Sequence, residues 1–392
     1  MPLPLGYPLR SLAQRRLRTG LTVAVVALVV IATTLFLGLV SSLRRTLVTS
    51  GSPDNLVVLR KGSDNDGSSA VPLEAYQALR FFEGVAQDAE GEPLVSPEIV
   101  VQPFFFTEDG GRENVLVRGV EPQALGVHGE VRIAEGRMFE PSLGEAVVGR
   151  GVAGRYRGIA LGQELRFGRR DWKIVGIFES GGSSFESEVW VDAGDLAADT
   201  RRGSWYSGVR VKVAPGADRD ALMRRIADDP RWTLAAKPEP EYYAKQAESA
   251  NIFYVLVVAL AVLAGVGAVF GATNTMYASV QARIAEIGTL RALGFPRGAV
   301  LRAFLIESLA IAGLGLVVGV GVAVPLALAV SQALGGVGFA MSTFSTSVVT
   351  LRVGAFDVAV AAGLATLIGL AGGLAPAWRA SRLRPVEALR KG

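Results

Sequence analysis

Apolar positions are spread unevenly along this chain. They gather into four runs long enough to cross a bilayer, which takes about 20 helical residues for a core of roughly 30 Å. The first span is expected at 21–43, inside an uncharged stretch from 19 to 43. The second is expected at 251–277, inside an uncharged stretch from 249 to 282. No charge occurs from 308 to 351, which is too long for one span. A third helix is therefore expected at 308–330, followed by an external loop rich in Gly, Ser and Thr at 331–355. The fourth span is expected at 356–376, with Asp357 at its outer end. Arg15, Arg16 and Arg18 precede the first run, as they would in a signal peptide. A signal's apolar core is usually about 7–15 residues and ends at a small-residue cleavage site. Neither holds here, so the run reads as an anchor.

The pattern changes between the first two runs. Residues 44–250 alternate short β-branched or aromatic segments with Gly, Pro, Asp and Asn, the signature of a soluble α+β insert. Strands are expected at 55–60, 98–107, 113–120, 172–178, 188–191 and 209–213. Helices are expected at 72–82, 151–157 and 218–227. The tract at 62–69 reads as a flexible, solvated loop; its few acids and the lack of a closing Glu make a calcium loop a poor fit. Residues 41–50 and 242–251 are helix-permissive and extend the first two spans outward as stalk ends. The fold class is thus a polytopic α-helical membrane protein with four transmembrane helices and a large α+β periplasmic domain between helices 1 and 2.

Charge sets the orientation. The net charge of +4 hides an asymmetry. Segments 1–20, 278–307 and 377–392 hold 13 basic and 3 acidic residues, whereas 44–250 holds 26 basic and 32 acidic. Short basic loops stay in the cytoplasm, and long domains are translocated largely regardless of charge. Both termini and the 278–307 loop are therefore expected inside, and 44–250 outside.

Composition then excludes chemistries. The 392 residues include no Cys and one His, so disulfides and thiolate sites are ruled out. His128 reads as a surface or satisfied structural residue. None of the six Lys is followed by Ser or Thr, so no phosphate-binding P-loop is present. The modest net charge gives no sign of nucleic-acid binding. No ionisable residue lies near the middle of a span, which argues against a proton-driven pump. Gly267 and Gly271, Gly315 and Gly319, and Gly369 and Gly373 are small-xxx-small pairs suited to close helix contact. Phe104, Phe105 and Phe106 alternate across a strand, so at least one ring should face a core.

The most informative element follows the second span. Ile284, Ile287, Leu290 and Leu293 recur every three residues, Arg283 and Glu286 form an i,i+3 pair, and Gly294 then Pro296 end the helix. A short helix with an apolar ridge, held between two spans, suits docking into a partner's groove. Lying in the lipid interface is the other reading.

The string R-x-x-E-I-G-x-L-R-A-L-G at 283–294, preceded by Asn274, Met276, Ser279 and Val280, resembles the permease subunits of MacB/FtsX-type ABC transporters. So do the basic lead into the first span, the ending at 376–390, and the segments around 135–139, Gly149 and 175–178. The resemblance implies one span, a large periplasmic domain and three further spans. It makes the 283–294 loop a coupling helix, with Arg283, Glu286, Ile287, Gly288, Leu290, Arg291, Leu293 and Gly294 contacting an ATPase. It implies a non-catalytic permease in the bacterial inner membrane, paired with a second copy or a similar permease. Two copies of a separate ATPase subunit would bind ATP and Mg. A periplasmic adaptor, an outer-membrane protein and membrane lipids are the other implied partners. MacB itself carries a fused ATPase, whereas 20 residues precede the first span here. The implied activity is export or extraction of a substrate by mechanotransmission. The alternative is an FtsX-like signalling scaffold that activates a periplasmic partner such as a cell-wall hydrolase.

Overall fold

The computed structural model describes residues 16–108, 110–248, 251–333, 336–340 and 346–384. Arg15 and the 385–390 part of the chain's ending lie outside the described residues. The chain forms two compact units: Met1–Ser41, Ile252–Val330 and Leu351–Gly392 in one, Ser42–Asn251 and Ser331–Thr350 in the other.

The helices are α1 (Arg16–Thr49), α2 (Leu73–Leu79), α3 (Ala124–Val127), α4 (Ala193–Thr200), α5 (Arg219–Ala227), α6 (Glu239–Glu248), α7 (Asn251–Gln281), α8 (Ile284–Ala292), α9 (Arg297–Ala333) and α10 (Ala355–Ser381). Four of them, α1, α7, α9 and α10, are long and apolar enough to cross a membrane. Their small residues let them approach closely. Val26, Val29 and Val30 of α1 pack with Ala268 and Ala272 of α7 and Ala361, Ala365 and Ile368 of α10. Without water to drive helices together, such packing is the main source of association in lipid. At 37 residues, α9 would measure about 55 Å, well beyond the hydrocarbon core. It starts at Arg297 rather than near 308 because nothing between Pro296 and Ser308 breaks a helix.

The second unit is built on a ten-stranded sheet. In chain order the strands of this unit are β1 (Asn55–Arg60), β2 (Val71–Pro72), β3 (Val95–Val101), β4 (Phe104–Phe106), β5 (Arg112–Asn114), β6 (Leu116–Val120), β7 (Arg132–Gly136), β8 (Glu145–Gly149), β9 (Glu164–Phe167), β10 (Arg170–Glu179), β11 (Glu188–Asp192), β12 (Trp205–Tyr206), β13 (Gly208–Lys212), β14 (Leu234–Pro238), β15 (Val337–Ala340) and β16 (Thr346–Val349). The large sheet runs β14-β1-β13-β3-β6-β11-β8-β10-β7, with β9 also on β10. Pairing is antiparallel except at β6–β11 and β8–β10. One core lies under β1, β3 and β13 against α2 and α5, and includes Leu56, Val209, Leu222 and Ile226. Another fills the β6–β10 half, around Trp172, Ile174 and Tyr156. A third joins Phe178, Phe185 and Trp190 to Tyr242 and Tyr243 of α6.

Three local expectations are corrected. No helix forms at 151–157; Gly154 and Gly158 adopt positive φ of 73° and 74°, and the segment folds as turns. The 62–69 tract is only partly solvated: Gly62, Asp64, Gly67 and Ser68 are exposed, but it closes a 3-10 turn at Asp66–Ser68, capped by Asn65, and Asp66 is buried. The 331–355 segment holds a two-stranded hairpin, β15 with β16.

Candidate functional site

The connection between α7 and α9 is the first site. Helix α7 stops at Gln281, Arg283 takes a non-helical φ of −124°, and α8 begins one residue later. Glu286 sits in the first turn of α8 and Arg291 in the last, each favourable to the helix dipole. The far end is closed by backbone bonds from Gly294 N–H to Arg291 O and from Phe295 N–H to Leu290 O, both 3.2 Å. Gly294 has φ of 91°, a conformation that suits glycine. Arg291 Nη1 donates to Phe295 O at 2.9 Å and braces the same turn.

The apolar ridge does not stay on one face. Each three-residue step falls about 60° short of a full turn, so Ile284 and Leu293 end about 180° apart. Ile287 and Gly288 are buried. Ile287 joins Met276, Val280, Val300, Phe304, Ile311, Ala377 and Ala380 in a core. Ile284, Leu290 and Arg291 are half-buried, while Glu286 and Gly294 are exposed and Leu293 is 72% exposed. Arg283 is buried: Nε donates to Glu286 Oε2 at 3.2 Å and Nη1 to Glu307 Oε2 at 3.0 Å. The Glu286 contact matches the sequence spacing. The Glu307 contact spans 24 residues and has no local signal.

The glycine pairs divide. A Cβ on Gly315 or Gly319 would stand 2.7 or 2.6 Å from Val26 or Val30 of α1. On Gly369 or Gly373 it would meet Ala312 at 2.9 Å or Ser308 at 2.6 Å on α9. Gly267 and Gly271 face no described neighbour within 4 Å. Gly372, outside the expected pairs, approaches Ala272 at 2.7 Å.

The second site is a charge cluster inside the sheet domain. Arg118 of β6 forks onto Glu188 of β11 at 2.7 and 2.6 Å and reaches Glu98 of β3 at 2.6 Å. Arg210 of β13 bonds Glu98 at 2.7 Å and Asp66 at 2.8 Å. His128 Nε2 lies 2.7 Å from Glu98 Oε1, so the lone histidine is a partnered, buried residue. Glu239, at the start of α6, accepts from Asn55 Nδ2 at 2.9 Å and from Ser52 N–H at 3.1 Å. Burial alone would raise the Glu98 carboxyl, but Arg210, Arg118 and His128 hold it well below the usual carboxylate range. Both guanidiniums are pushed the other way: burial would lower them, and the surrounding carboxylates raise them. A cleft of about 200 Å³ opens beside His128, Asn55, Asp54, Glu130 and Glu239.

This cluster was missed from sequence. Its signal is a charged residue set between apolar neighbours inside each of three strands: Glu98, Arg118 and Arg210, of both signs. Phe105 faces the core, whereas Phe104 and Phe106 are outside with Arg112 stacked 4.5 and 5.9 Å from their ring centres.

Residues 19–229 match the family model of the MacB-like periplasmic core domain, and residues 258–385 match that of the FtsX-like permease C-terminal. The chain belongs to the MacB/FtsX family of ABC transporter permeases. Relatives named macrolide export ATP-binding/permease protein MacB include one from Chlorobaculum tepidum, 27% identical over 97% of this chain and 60% of its own length. Another, from Bdellovibrio bacteriovorus, is 24% identical with the same coverage. A third, from Paracoccus denitrificans, is 28% identical over 60% of this chain and 35% of its own. The chain thus spans between about a third and three fifths of the length of these MacB relatives. Among solved structures, the periplasmic region of MacB from Actinobacillus actinomycetemcomitans aligns with 49% of this chain and 92% of its own, at 10% identity and a TM-score of 0.39.

Proposed function

We propose that this permease couples ATP hydrolysis by a separate subunit to movement of its periplasmic domain. Two permease copies, identical or similar, work with two ATPase copies, which hold ATP and Mg. The termini and the α8 connection face the cytoplasm, and the complex sits in the bacterial inner membrane. Closure of the ATPase pair presses on α8, the helices shift, and the periplasmic domains export or extract a substrate. The surplus of basic residues on the three short segments supports this orientation.

One observation carries the reading. Helix α8 is seated by Ile287 and Gly288 on the spans, which leaves Glu286, Leu293 and Gly294 turned outward. An exposed leucine at the end of a braced short helix, about two turns from an exposed glutamate on the same face, has the composition of a groove-docking element. Gly267 and Gly271, with no described residue within 4 Å of an added Cβ, suit contact with the second permease copy. The test is Leu293→Asp in this permease, co-expressed with the ATP-binding subunit from the same gene cluster. The expected result is normal elution of the permease with at least tenfold less ATPase co-purified. Unchanged co-purification would overturn the docking role.

A further inference from the structure

The resemblance makes Arg283 a contact to the ATPase, yet its side chain is only 7% exposed and its partner Glu307 only 6%. We infer that Arg283 is a positioning residue: its ion pair with Glu307 is the polar link through which movement of α8 reaches α9, beside the apolar core that Ile287 shares with Val300 and Phe304. The inference rests on the coupling role proposed for α8.

Helical geometry is interrupted on both sides of α8. On one side Arg283 itself breaks the helix. On the other, Gly294 turns the chain at φ of 91° before Pro296. No continuous helix therefore joins α8 to α7 or to α9. The ion pair bypasses both interruptions. It ties the N-terminal end of α8 to a point ten residues into α9, about 15 Å along that helix. Further contacts fix it. Ser279 Oγ donates to the other Glu307 oxygen at 3.4 Å. The Arg283 guanidinium stacks over Phe304 at 5.3 Å, one turn before Glu307. Screening by salt is weak for a pair so little exposed. Glu286, 61% exposed, shares the same guanidinium. The pair therefore connects the outward face of α8 to the interior of the unit.

The test uses the full chain assembled with its ATPase in lipid nanodiscs. Arg283→Gln and Glu307→Gln should keep ATPase co-purification within twofold of wild type. They should leave the KM for ATP unchanged and lower the permease-dependent stimulation of kcat at least tenfold. Arg283→Lys, which keeps the charge but not the fork, should fall between. The exchange Arg283→Glu with Glu307→Arg should recover at least half of the stimulation. The neutral double variant Arg283→Gln with Glu307→Gln leaves no buried charge alone. It should assemble even if the single variants do not, and should stay unstimulated. Full stimulation in the double variant would overturn the inference, as would an exchange no better than the single variants. Loss of ATPase from Arg283→Gln, with the double variant also losing it, would return Arg283 to the docking surface. Leu293→Asp, run alongside, separates the two ideas: retained ATPase there refutes docking by α8, not the Arg283–Glu307 link.

Discussion

Glu98 is where the domain interior is most exposed to a single change. It receives Arg118, Arg210 and His128 at 2.6, 2.7 and 2.7 Å, and none of its surface meets water. Glu98→Gln keeps the shape and removes the charge. The two guanidiniums would then share a site with Asp66, Glu188 and, 3.8 Å from Arg210, Glu239 to balance them, and His128 would face an amide. Losing one partner of a buried ion pair costs about 3–5 kcal/mol. The Gln oxygen still accepts one bond, so the lower end, about 3 kcal/mol, is expected. Against a domain stability of roughly 5–15 kcal/mol, that is a large fraction. At 1.4 kcal/mol per decade, 3 kcal/mol is roughly a 150-fold change. The assay is hydrogen exchange by mass spectrometry on the detergent-solubilised chain, reading the slowest amides of β3, β6 and β13. Those amides should exchange roughly 150-fold faster in the variant. A change below about tenfold would refute the view that this cluster holds the strands together.

Other outcomes follow from the same geometry. Because the Glu98 carboxyl is depressed in the fold, its contribution is fully present above its ordinary value of 4.5 and is lost as pH falls through the lower folded value. Thermal unfolding of the domain should therefore steepen in its pH dependence below about 4.5, and Glu98→Gln should flatten that slope. Gly319→Leu would drive a side chain into Val30 and the Ala27 carbonyl, at 2.6 and 2.9 Å; overpacking of this kind costs about 1–3 kcal/mol or more, and the variant should aggregate at a lower temperature. A Cβ at Gly271 meets no described residue within 4 Å; Gly271→Leu should leave melting unchanged while crosslinking between permease copies falls.

How much of this was readable beforehand depends on the kind of force involved. The four spans were legible because lipid tolerates almost no charge, and uncharged runs as long as 19–43, 249–282 and 308–351 suit little besides a bilayer. Strands β1, β6 and β11 were legible from their branched residues. Strand β8, Glu145–Gly149, was not: it is buried on both faces and shows no alternation. Strand β14 carries two alanines and a proline, a composition with little strand preference. The charge cluster brings together residues from Asn55 to Glu239, one per element, so no local spacing marks it. In α8 the motif identified the element, but the three-residue repeat misled about its face. Helical drift turned Leu293 outward, and a distant glutamate claimed Arg283.

The central claim is that ATP binding by a partner moves the periplasmic domain. The chain has no cysteine, so one introduced at Leu143, which is 60% exposed, gives a single labelling point. Spin labels there, on two permease copies assembled with the ATPase in nanodiscs, report the distance between the domains by pulsed electron resonance. Addition of ATP and Mg with a hydrolysis-deficient ATPase should shift the distance distribution, and Leu293→Asp should abolish the shift. An identical distribution with and without ATP would contradict the account.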